Sequence, residues 1–215
     1  MKFIENLLCE FIRSLNGFTH NYGLAIILLT ILIRIALIPL GIKQDRAMKK
    51  MKEIQPELKK LQKKYKGDKQ GLQKAQMEFY KREKVNPLAS CLPIIVQLPI
   101  FWALFVVLKN TGADAVIPTN AKFLFWVLSK PDKTLILPVL NGITMFIQQK
   151  FTMATDMGNS SNMKMLTYGM PVMITVISIN FPSGLLLYWT TSTIGAALQY
   201  YVVTSNWSKS QSKKS

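Results

Sequence analysis

The stretch Gly23-LAIILLTILI-Arg34-IALIPL-Gly41 decides how this chain is read, because a single arginine stands in an apolar run that contains no acidic residue. A guanidinium keeps its proton wherever a fold places it. Charge at the centre of a bilayer is costly, and residues that carry it there face a water-filled cavity or a partner. A purely structural reading has Arg34 bonded to backbone carbonyls or snorkelling to an interface. Snorkelling is hard from this position, with eleven residues back to Gly23 and seven on to Gly41. The placement favours a polar functional site inside a membrane.

Composition agrees with that reading. The chain has 215 residues, 49% of them hydrophobic, yet it carries a formal charge of +16. Those facts are compatible only if charge and apolar residues are segregated. Apolar runs occur at 22–42, 92–108, 134–151, 166–181 and 184–204, with polar segments between them. Each is near the length that crosses a ~30 Å hydrocarbon core, and a spanning segment without partners for its backbone must be helical. The expectation is an all-α polytopic membrane protein with five transmembrane helices. Fifteen of the 27 basic residues lie between Lys43 and Ser90, so that segment is expected in the cytoplasm. Five spans then put the N-terminus outside and the basic tail 205–215 inside. One feature resists the rule. The outer loop 109–133 holds four lysines (Lys109, Lys122, Lys130, Lys133), while the inner loop near Lys150 and Lys164 holds two.

The polar segments have patterns of their own. Phe3, Leu7, Leu8, Phe11, Ile12 and Leu15 recur at helical spacing, which predicts an amphipathic helix over 1–20 on the outer surface. Glu5, Glu10 and Arg13 interrupt the run and no small-residue cleavage site follows, so a cleaved signal is not expected. Cys9 and Cys91 fall on opposite sides of the membrane in this scheme and are expected as free thiols. In 43–90, Met51, Ile54, Leu58, Leu61 and Tyr65 form a heptad seam. Lys66-Gly-Asp-Lys-Gln-Gly71 breaks it, Leu72, Ala75 and Phe79 resume it, and Asn86-Pro87 stops it. That predicts an antiparallel helical hairpin. Its lysines either dock anionic lipid, ribosomal RNA or acidic partners, or serve only to fix topology.

The later spans, 91–204, contain polar residues at helical spacing. Asn141, Thr144 or Met145, and Gln148 share one face, as do Tyr188, Thr191 or Ser192, Gly195 and Gln199. Gln97 lies between Pro93 and Pro99, and Thr30 stands one turn before Arg34. Singly, each suits an interhelical hydrogen bond, the favoured reading for Gln97 and Thr144. Together with an unpaired Arg34 they suggest a wet chamber between helices. Methionines crowd the third and fourth spans and their connection, a composition that suits core or lipid-facing positions and also a surface accepting varied apolar partners.

Three motifs in register give the chain a family resemblance. Asn21-Tyr-Gly-Leu-Ala-Ile-Ile-Leu-Leu-Thr30 with Ile33-Arg34 and Pro39-Leu40 resembles the first core span of the YidC/Oxa/Alb membrane protein insertases. Asn86-Pro87, Cys91-Leu92-Pro93 and Gln97-Leu98-Pro99-Ile100-Phe101 resemble the second, and Phe181-Pro182-Ser183-Gly184-Leu185-Leu186-Leu187-Tyr188-Trp189 the start of the fifth. The likeness runs from about residue 5 to 204 and is greatest to the short Gram-positive type. It implies a bacterial plasma-membrane insertase and chaperone, with a groove open to cytoplasm and lipid and closed on the outside. Arg34 would attract the acidic tail of a nascent segment. Thr30, Gln97, Asn141, Gln148 (with Gln149 as alternative), Tyr188 and Trp189 would complete the groove. The implied partners are nascent membrane proteins, the ribosome, a Sec translocon and anionic lipids, with no DNA and no cofactor.

Enzyme readings fail on the residues themselves. Asp156 lies in a loop, and the apolar runs contain no acidic residue, so the two membrane-depth carboxylates of an aspartyl protease are missing. His20 is the one histidine, and no GxxxxGK[ST] run cradles a nucleotide. The alternative class is a pore or transporter component in which Arg34 selects anions.

Overall fold

The computed structural model describes residues 2–86, 92–110, 115–152 and 168–212. Pro87, Cys91 and the methionines of 153–165 therefore lie outside the described residues. Eight helices make up most of the described chain: α1 (Lys2–Thr19), α2 (Tyr22–Glu53), α3 (Gln55–Lys64), α4 (Lys69–Arg82), α5 (Leu92–Lys109), α6 (Ile136–Thr152), α7 (Met170–Ser178) and α8 (Ser183–Ser212). The all-α expectation needs one amendment. Residues Lys122–Phe123 (β1) and Trp126–Val127 (β2) pair antiparallel in a small hairpin.

Among the described residues, α2 is the one helix long and apolar enough to cross a membrane. Asn21 starts it, its side-chain oxygen accepting from the Gly23 and Leu24 amides at 2.9 and 3.2 Å, as an N-cap does. The helix does not stop near residue 42 as its apolar run does. It passes through Pro39 and continues to Glu53. The expected heptad seam is divided there: Pro56 has no amide proton and its ring opposes the carbonyl four residues back, so α3 begins anew after Ile54. α3 and α4 fold against each other around Gly67, whose φ of +103° suits a residue without Cβ. Leu58 and Phe79 are buried there, and Arg82 pairs with Glu57 across the two helices at 3.7 Å. α8 likewise runs on past 204, through the start of the basic tail, to Ser212.

α8 is the hub of the bundle, packing on α2, α5 and α6, while α6 also packs on α7. α1 is docked and does not simply lie on the surface: Leu8 and Ile12 enter the core against α2 and α5, while Phe3, Leu7, Phe11 and Phe18 stay exposed. The main apolar cluster joins those two side chains to Ile26, Leu104, Leu108, Leu128 and Leu185. This end, with α1 and residues 115–135, is the cap end; α3 and α4 mark the hairpin end. α6 and α8 both start at the cap end and so run parallel. The Ser183 amide and hydroxyl both donate to the Lys130 carbonyl at 2.8 Å, and the Gly184 amide donates to that of Leu128 at 2.9 Å. A Cβ on Gly184 would meet Leu108 at 2.9 Å and the Leu128 oxygen at 3.2 Å, which keeps the residue small. Asp132 starts α6, its carboxylate accepting from the Thr134 and Leu137 amides at 2.7 and 2.8 Å. Burial pushes the Asp132 carboxyl up, but those hydrogen bonds outweigh it and hold the group below the usual carboxylate range.

Candidate functional site

Thr30, Arg34 and Ile38 succeed one another at four-residue intervals, so they line one face of α2. Thr191, Gly195, Leu198 and Gln199 face them from α8. Between the two helices is a cavity of about 370 Å³ whose wall is mostly isoleucine, leucine and valine. Thr30 is fully buried and its hydroxyl donates to the Ile26 carbonyl of its own helix at 2.7 Å. Arg34 is half-buried. A Cβ on Gly195 would lie 3.6 Å from Arg34 Cγ, so the small residue at this point lets α8 approach the arginine stem.

Arg34 is not unpaired, contrary to expectation. Its Nε donates to the Ser192 hydroxyl at 3.0 Å, while Thr191 lines the cavity beside it, so both alternatives on α8 lie near the arginine. One turn back, Tyr188 is 2% exposed and its hydroxyl accepts from Gln97 Nε2 of α5 at 2.7 Å. The two hydroxyls of Tyr188 and Ser192 stand close together. A polar layer thus crosses three helices, directly beneath the apolar cluster of the cap end. No carboxylate lies within ion-pair distance of Arg34 among the described residues.

The nearest acid along this face is Asp45, which comes eleven residues after Arg34. That is three helical turns, or about 16 Å along the axis. Asp45 is only 7% exposed, and Gln199 Nε2 donates to its Oδ2 at 2.9 Å. Gln199 itself lines the cavity. A cavity with apolar walls therefore has a cation near its capped end and a hydrogen-bonded carboxylate beyond its other end. Further along α2, the Lys52 ammonium donates to the Phe151 carbonyl at the end of α6 and lies 5.0 Å from the Tyr200 ring centre. That lysine ties three helices together, whereas the hairpin reading counted it among basic surface residues.

The other expected residues lie elsewhere. Trp189 packs edge-on against Phe101, with ring centres 5.1 Å apart, in an aromatic group that includes Phe181. Asn141 is wholly buried in α6; neither polar atom of its side chain has a hydrogen-bond partner, and it does not line the cavity. Thr190 Oγ1 of α8 is also buried and unpartnered. Of the glutamine pair, Gln149 is buried and Gln148 half-buried. Sequence reasoning missed Asp45 because it belongs to the basic segment by composition. Counting eleven residues on from Arg34 would have found it.

Comparison with known proteins follows the same lines. A family described as 60Kd inner membrane protein matches residues 14–211. The membrane protein insertase YidC of Fusobacterium nucleatum subsp. nucleatum is 48% identical over 209 residues, covering 94% of this chain and 98% of that protein. The insertase YidC of Francisella philomiragia subsp. philomiragia is 40% identical over 215 residues, which is 99% of this chain and 38% of its own length. A crystal structure of an active YidC insertase with its first transmembrane domain resolved superimposes with a TM-score of 0.73 at 28% identity. It covers 93% of this chain and 45% of that one. The chain thus spans nearly all of the Fusobacterium relative and less than half of the other two.

Proposed function

The chain belongs to the 60Kd inner membrane protein family, the YidC/Oxa/Alb insertases, and on that premise we propose that it moves hydrophobic segments of nascent proteins from the cytoplasm into the lipid bilayer. In this reading α2, α5, α6, α7 and α8 are five spans. The cap end faces outward, and the basic hairpin and tail face the cytoplasm, where the ribosome docks. Fifteen basic residues between Lys43 and Ser90 support that orientation.

The observation that carries the proposal is the placement of Arg34. It lies in an apolar-walled cavity between α2 and α8, beneath a closed apolar cluster and above a hydrogen-bonded Asp45. A cation held there keeps water at membrane depth and attracts the acidic tail of an incoming segment. The Ser192 hydroxyl holds the guanidinium without neutralising it, so its charge remains available to a substrate carboxylate. The exposed Ile31, Ile35 and Leu198 meanwhile offer apolar surface to the segment that follows the tail. Its transfer into lipid supplies the driving force, at roughly 25 cal/mol per Å² buried. No covalent step is required.

Photocrosslinkers at Ile35 and Leu198 of the reconstituted chain test this reading against Phe3 as a distant control. Capture of a single-span nascent substrate at the first two positions and not at Phe3, without ion flux, is the expected result. Ion flux with no crosslink at either position would replace the insertase by an anion-selective pore.

A further inference from the structure

The lysines of the outer loop remain unexplained by insertion, and so does the shape of the β1–β2 hairpin within it. Its turn is Leu124-Phe125, with Leu124 71% and Phe125 58% exposed. Leu124 has a φ of +54°, a left-handed conformation that a leucine adopts only under strain. Glycine or asparagine would suit that backbone better, so the position holds a large apolar side chain against local preference. Lys122 in β1, and Lys130 and Lys133 just after β2, are all exposed.

The hairpin is also fixed in height. The Phe123 ring occupies the space above Gly23, the second residue of α2, so closely that a Cβ there would overlap it. Trp126 stacks on Phe123 with ring centres 6.5 Å apart and touches Phe125 at 4.2 Å. The tip therefore lies level with the end of the first span, where a bilayer changes from hydrocarbon to headgroups. The exposed Phe3, Phe11 and Phe18 of α1 belong to the same end. An apolar tip at that height, with exposed lysines in the strand and the segment that follows it, matches one surface: acyl chains below and anionic phosphodiester headgroups beside them.

We propose that the 122–127 hairpin is a lipid wedge, with Leu124 and Phe125 inserted below the headgroups of the cap-end leaflet and Lys122, Lys130 and Lys133 bound to anionic phospholipid. Calling that leaflet the outer one rests on the orientation proposed above; the wedge itself does not. Its contact with Gly23 passes the anchorage directly to α2. Arg34 lies eleven residues along that helix, so the wedge sets the depth of the cation at about 16 Å below the anchor.

The test places an environment-sensitive fluorophore on Leu124→Cys in the full chain, with Cys9 and Cys91 replaced by serine. The protein is reconstituted in vesicles of phosphatidylcholine with or without phosphatidylglycerol. The same label on the exposed Gln73→Cys of α4 is the reference. Emission from position 124 should be shifted to the blue of the reference and quenched by lipid-borne quenchers. The depth should increase with phosphatidylglycerol and lose that dependence when Lys122, Lys130 and Lys133 are all changed to glutamine. A water-like emission at position 124 in both vesicles would overturn the wedge. Deep emission that ignores both lipid charge and the lysines would overturn the headgroup contact. Insertion measured on the same vesicles separates these outcomes from failure of the insertase reading, since an active protein with a water-exposed tip refutes only the wedge.

Discussion

Replacing Gly41 with alanine should break a bond that Gly41 does not make. The added methyl overlaps the Gln199 amide nitrogen and comes within 2.9 Å of its carbonyl carbon and oxygen. Gln199 can move aside without shifting the backbone, because the overlap is with the far end of a flexible chain. Moving, however, takes its Nε2 away from Asp45, a carboxylate only 7% exposed. A hydrogen bond to a charged group contributes ~1.5–3 kcal/mol, while glycine to alanine in a helix returns ~1 kcal/mol. The net loss is then about 0.5–2 kcal/mol, by the difference of those two ranges. For a chain of this size that lowers Tm by roughly 1–8 °C. In a Gln199→Ala background the overlap and the bond are both gone, and Gly41→Ala should raise Tm. Thermal unfolding of the four proteins in one detergent measures the cycle. An equal Tm change for Gly41→Ala in both backgrounds would refute the Asp45–Gln199 link.

Three further outcomes follow from other parts of the molecule. Gly195→Leu should fill the cavity beside the Arg34 stem and slow insertion without lowering Tm, whereas Gly195→Ala should be nearly neutral, since its Cβ finds ordinary contact at 3.6 Å. The Asp132 carboxyl is held below its unfolded value of ~3.9. Its contribution is therefore complete above that pH and is lost as pH falls through the lower folded value. The Tm gap between wild type and Asp132→Asn should accordingly be constant at neutral pH and close in acid. Within α7, nine residues rise about 13 Å; if this short helix thins the bilayer, four leucines added after Val176 should slow insertion more in thick than in thin lipid. Equal rates for both proteins in both lipids would remove mismatch from the mechanism.

Helical periodicity made much of this architecture legible, and its limits show in particular residues. Arg34 stood out because charge inside an apolar run is rare. Its partner did not, since Thr191 and Ser192 are a third of a turn apart and the rotation of α8 against α2 decides between them. Asn141 and Gln148 shared one face by spacing, and Trp189 came with the family resemblance, yet none of the three lines the cavity, and Trp189 packs on Phe101 of α5. The length of α2 was not legible, because its apolar run stops near residue 42 while its helix continues to Glu53. The small hairpin was invisible: two-residue strands leave no alternation, and Leu124-Phe125 has none of the usual turn residues.

In the proposed function, the charge of Arg34 receives an acidic tail at membrane depth. Insertion of a single-span substrate with an acidic N-terminal tail, followed in vesicles containing wild type, Arg34→Lys or Arg34→Ala, tests it most directly. A version of the substrate with a neutral tail serves as control. Lysine should retain much of the insertion of the acidic substrate, alanine should lose it, and insertion of the neutral tail should depend far less on the residue. Equal insertion of the acidic substrate by all three proteins would contradict it.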